Sequence, residues 1–87
     1  MRINSNFLLR KVADSYVVVP VGSAVVDFSG LINLNETGAF LFELLQQGAD
    51  ENVLVQKLLA EYDVTEDIAT KDVRAFISKV KEAGILE

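Results

Sequence analysis

Thirteen Asp and Glu, eight Lys and Arg, and neither His nor Cys set the chemistry open to this 87-residue chain. Without His and Cys, the usual zinc sites and Ser-His or Cys-His nucleophile pairs are removed together. Carboxylates, lysines, serines and tyrosines remain, but no spacing among them singles out a general acid–base pair. Glu66 and Asp67 stand at a helix start, where the positive end of the helix favours acids, and Glu82 stands near a helix end. The five glycines are isolated, so there is no glycine-rich phosphate loop. The sequence predicts no catalytic residue, no metal and no cofactor.

Main-chain hydrogen bonding is the chemistry left. Leu31, Ile32, Asn33 and Leu34 read as a short strand that runs directly into the most apolar helix of the chain. A strand at a sheet edge carries unpaired N–H and C=O groups, a template for an added strand. This strand has no Pro and no Lys to block pairing. The competing readings are an idle short edge and an edge that pairs with its own copy in a homodimer.

The elements that must position this strand follow from pattern. Phe7-Leu8-Leu9-Arg10-Lys11-Val12 and Tyr16-Val17-Val18-Val19 read as two strands of a hairpin, with Asp14-Ser15 as turn chemistry. Pro20 ends the second strand or turns its missing amide outward. Residues 21–30 read as a loop with some strand character, the alternative being a short strand over 24–28. Asn35 caps a first helix over 36–47 that is apolar nearly all round, so it must be covered on several sides. Gly48 suits its left-handed C-terminal position. Gly38 in the first turn costs about 1 kcal/mol of helix propensity, which predicts close packing of the sheet or a later helix there. Asp50 caps a second helix reaching Tyr62, with Val55, Leu58, Leu59 and Tyr62 on one stripe. Thr65 caps a third, in which Ala69, Val73, Phe76, Ile77 and Val80 repeat at helical spacing. Gly84 stops it and folds Ile85 and Leu86 back. The order is α+β: an N-terminal three-stranded antiparallel β-sheet, then three α-helices, in one domain over 1–87.

Composition narrows the partners. A hydrophobic fraction of 51% excludes a disordered tail. No window approaches the roughly 18 apolar residues of a membrane span, and the N-terminus lacks a signal-peptide pattern. A soluble, cytoplasmic protein is the expectation. Strands followed by three helices also suit a winged helix-turn-helix, whose third helix would enter a DNA groove. On that helix Lys71, Arg74, Lys79 and Lys81 are offset by Glu66, Asp67, Asp72 and Glu82. With a net charge of −5 as well, nucleic acid is disfavoured, because phosphate neutralisation dominates such affinity.

The ordered set of segments resembles the family named for PQQ biosynthesis protein D, the PqqD-like family, whose fold is also called the RiPP recognition element. The likeness is carried by Phe7-Leu8-Leu9-Arg10, by Tyr16-Val17-Val18-Val19-Pro20-Val21-Gly22, and by Asp27-Phe28-Ser29-Gly30-Leu31-Ile32-Asn33-Leu34-Asn35-Glu36-Thr37-Gly38-Ala39. Leu58-Leu59-Ala60-Glu61-Tyr62-Asp63-Val64, Asp72-Val73-Arg74-Ala75-Phe76 and Ala83-Gly84-Ile85-Leu86 extend it over nearly the whole chain. Val53 departs from it, since members often have there an acid that completes a capping box after Asp50. The resemblance implies a non-catalytic, winged-helix-like peptide chaperone. Such a module binds the leader segment of a ribosomally made precursor peptide and delivers it to a modifying enzyme, often a radical SAM protein. It implies that the leader adds to the third strand, here Leu31, Ile32, Asn33 and Leu34, in a groove closed by the third helix. On that helix the expected contacts are the stripe Val73, Ile77 and Lys81, with Arg74 at its rim. Val73 and Ile77 have core packing as their competing role. Arg74 and Lys81 would pair with leader acids, although exposed pairs are worth only about 0–1 kcal/mol. A protein–protein scaffold without direct peptide binding is the alternative function.

Overall fold

The computed structural model describes residues 1–27 and 32–87. Their order is β1 (Phe7–Val12), β2 (Ser15–Pro20), a one-turn helix α1 (Ala24–Asp27), β3 (Ile32–Leu34), α2 (Glu36–Gln47), α3 (Glu51–Glu61) and α4 (Glu66–Ala83). The strands form one antiparallel sheet in the order β1-β2-β3, and the α+β architecture is the one the sequence implies.

Three details differ. The hairpin turn is Ala13-Asp14, with Ser15 already in β2 opposite Val12. Ala13 takes φ +55°, a conformation that favours Gly. Residues 24–27 are helical rather than strand-like because local bonds win: Ala24 N–H donates to Val21 O and Val25 N–H to Gly22 O, both at 3.3 Å. Phe28 and Leu31 lie outside the described residues. Gly48 has φ +97° but ψ 126°, outside the left-handed helical well, because the chain leaves α2 extended and Ala49 N–H reaches Met1 O at 2.9 Å.

The caps form as read. Asn35 Oδ1 accepts from Gly38 N–H and Asp50 Oδ1 from Val53 N–H, each at 2.8 Å, so the valine does not prevent the cap. Thr65 Oγ1 accepts from Ile68 N–H at 3.3 Å. At the end of α4, left-handed Gly84 donates to Lys81 O and Ile85 donates to Val80 O, the paired bonds of a Schellman motif. Ile85 and Val80 are fully buried beside that turn.

Alternation along the strands turns Phe7, Leu9, Tyr16, Val18, Ile32 and Leu34 to one face, against which α2 packs. Leu41, Phe42 and Leu45 of α2 are completely buried, each contributing on the order of 1.5–3 kcal/mol. The other sides of α2 are covered by Leu54, Val55 and Leu58 of α3 and by Val73, Phe76, Ile77 and Val80 of α4. Phe40 meets Tyr62 edge to face, with centroids 5.6 Å apart. The Tyr62 phenol is pushed up from its ordinary pKa by burial first, then by Glu36, Glu61 and Tyr16. The two termini pair: Ile3 bridges Leu86, and Ile3 N–H donates to Leu45 O at 3.0 Å. Among the described residues no helix is long and apolar enough to cross a membrane.

Candidate functional site

Gly38 fixes how β3 sits on α2. A Cβ at that position would lie 3.3 Å from Leu34 Cβ and Cδ2 and 3.2 Å from Asn35 Oδ1. The end of the strand therefore rests directly on the backbone of the first helical turn, and buried Leu34 is the anchor. This is the close packing that a glycine in a first turn implied.

The register identifies which backbone groups of β3 face outward. Tyr16 pairs with Leu34, Val17 with Asn33 and Val18 with Ile32. In an antiparallel ladder, alternate residues turn both backbone groups to the same side. Lys79 Nζ, from α4, donates to Asn33 O at 2.8 Å, so Asn33 faces away from β2 while Ile32 and Leu34 face it. Pro20 agrees with this parity. Continued along β2, the alternation points its missing N–H away from β1, so the β1–β2 ladder loses no bond there.

Beside this edge lies a cleft of about 280 Å³ between α4 and the junction of β3 with α2. Buried Leu34, Gly38, Leu41 and Phe76 form its floor. Asn35, Thr37, Asp72, Ala75 and Lys79 form its rim. Asp72, Ala75, Phe76 and Lys79 follow i, i+3, i+4, i+7 spacing and so share one flank of α4. The site offers a backbone pair, an apolar floor and one charge of each sign.

Of the residues singled out in the sequence, Ile32, Asn33 and Leu34 are in β3, and Leu31 lies outside the described residues. Val73 and Ile77 are buried in the core. Arg74 Nε lies 3.5 Å from Glu51 Oε1, so this side chain reaches toward α3. Lys81 is exposed and seven residues on, hence on the same flank as Arg74. Neither basic residue lines the cleft. Lys79 is two residues from Lys81, about 160–200° round the helix, and that rotation brings it to β3. Sequence reasoning passed over Asp72, Ala75 and Lys79. Their signal was a second helical row beside the core row.

The family model described as coenzyme PQQ synthesis protein D (PqqD) matches residues 15–86. The chain belongs to this family. The resemblance carried by the sequence segments is thus borne out, and the match includes β2, β3 and all three long helices of this PqqD-family chain. Two solved structures share its fold. TbiB1 in complex with the TbiA(beta) leader peptide has a TM-score of 0.76 and 22% identity, over 100% of this chain and 95% of that one. Lasso peptide synthetase B1 complexed with the leader peptide has a TM-score of 0.72 and 24% identity, over 97% and 93%. Comparison with curated proteins returned no match.

Proposed function

We propose that this PqqD-family chain is a non-catalytic module that binds the leader segment of a ribosomally made precursor peptide. The leader adds as a strand along β3, and the complex is presented in the cytoplasm to a modifying enzyme, with a radical SAM protein as the leading candidate. The observation that carries this reading is the outward N–H and C=O of Asn33 beside an apolar-floored cleft. An added strand can take the backbone groups while alternate side chains enter the cleft. Leader complexes of the two structures that share the fold support it.

In this proposal Leu31, Ile32, Asn33 and Leu34 form the receiving edge, and Phe76 and Ala75 meet the peptide from α4. Val73 and Ile77 hold α4 on the core from beneath. Arg74 and Lys81, on the α3 side, lie outside the first contacts. Titrating the ¹⁵N-labelled protein with the synthetic leader of a precursor encoded beside it tests the assignment. Amide shifts concentrated at residues 32–35 and 72–79 are expected; shifts concentrated elsewhere would sink it. Co-purification with a tagged radical SAM enzyme, with and without precursor, separates a peptide carrier from a scaffold that needs no peptide.

A further inference from the structure

The strand edge that contains no lysine is nevertheless closed by one. Lys79, 46 residues from Asn33 in sequence, places its ammonium on the Asn33 carbonyl at 2.8 Å. That carbonyl is the outward acceptor of β3, the group an added strand must use. The bond is exposed and its side chain long, so it can be exchanged. The ammonium can then turn to another acceptor. Along α4, Lys79 has Ala75 and Ala83 four residues to either side and Phe76 three before it; Glu82 is three after. Asp72, the rim's other charge, is two turns away, about 10 Å along the axis. A peptide lying between β3 and α4 would pass directly under the ammonium and make its surroundings drier. A lost partner costs more in such a place.

We propose that Lys79 is an exchangeable guard and a selectivity residue for the β3 edge. In the free protein it occupies Asn33 O. When a strand adds, a peptide N–H takes Asn33 O, and the ammonium passes to a carboxylate on the peptide. The ligand class is thus an extended peptide with Asp or Glu beside Asn33. The chain's net charge of −5 disfavours acidic peptides in general, so an acid preference would be local to this lysine. This inference rests on the strand-addition reading above.

The test selects a displayed library of random dodecapeptides on the full chain and on its Lys79→Met and Lys79→Glu variants. Amide shifts then establish whether each selected peptide sits on β3. For the wild type, an Asp or Glu enriched at one position is expected, and changing it to the amide should weaken binding roughly two- to tenfold. Lys79→Met should erase that difference, and Lys79→Glu should replace the acid with Lys or Arg. In the ligand-free protein, Lys79→Met should move the Asn33 carbonyl carbon resonance. Peptides that bind β3 with no acid preference, or with one that survives Lys79→Met, overturn the guard and leave strand addition standing. Selected peptides that never shift residues 32–35 overturn strand addition, and the guard with it.

Discussion

The two outer strands of the sheet are protected by different means. β1 has six residues and carries Arg10 and Lys11 within the strand, both exposed, with Lys11 Nζ 5.9 Å from the Tyr16 ring centroid. Charges built into an edge strand deter pairing permanently. β3 has three residues, Ile-Asn-Leu, and none is charged. Its deterrent is lent by α4 through one hydrogen bond from Lys79. A lent charge can be withdrawn, which suits the strand addition proposed for this edge.

The contrast can be broken first at its anchors. Leu34→Ala removes a buried side chain and opens a cavity beside Gly38, so a loss of about 2–5 kcal/mol is expected in denaturant unfolding. Leu8→Ala on β1, a residue 40% exposed on the outer face of the sheet, should cost far less, within about 1 kcal/mol. Equal losses would mean that the inner face of the sheet holds its strands no more firmly than the outer face.

A backbone change tests the open edge itself. Asn33→Pro deletes an outward N–H and leaves the bonds to β2, so leader affinity should fall roughly tenfold by calorimetry. By the same alternation Lys11→Pro deletes an outward amide of β1, and affinity should be unchanged. A loss with both variants would count against β3 as the receiving strand.

A smaller effect separates the two flanks of α4. A double-mutant cycle on Arg74 and Glu51 should return about 0.2–1 kcal/mol, because both side chains are exposed. Neither change should alter leader affinity. The smallest effect lies away from both edges. The folded state raises the pKa of Tyr62, so the stability linked to its neutral phenol is fully present below the ordinary tyrosine pKa of about 10. It is lost as pH rises through the raised value. Tyr62→Phe should flatten that alkaline limb in a series of thermal melts.

Most element boundaries were legible because their signals are local. Asn35, Asp50 and Thr65 cap from within three residues, and Gly84 with Val80 and Ile85 needs six consecutive positions. The strand Ile32–Leu34 was legible by composition. The helical turn at Ala24–Asp27 was not, because its valines favour strand while local turn bonds decide its shape. The flank of α4 that meets β3 was also hidden. Val73 and Ile77 form an apolar stripe equally fit for core or groove, and the core shared with α2 and α3 takes them.

By itself, then, the sequence determined what kind of chemistry is available and where the helices and strands begin and end. No His or Cys, balanced charge on α4 and a short uncharged strand are statements of composition, and caps and alternation act over a few residues. Only the tertiary structure decided which lysine meets the edge. Lys79 and Lys81 are two residues apart, yet helical rotation sends one to Asn33 and the other to the side of α3. That choice depends on how α4 is rolled against the core, which is set by the packing of Val73, Phe76, Ile77 and Val80, all far from β3 in the chain.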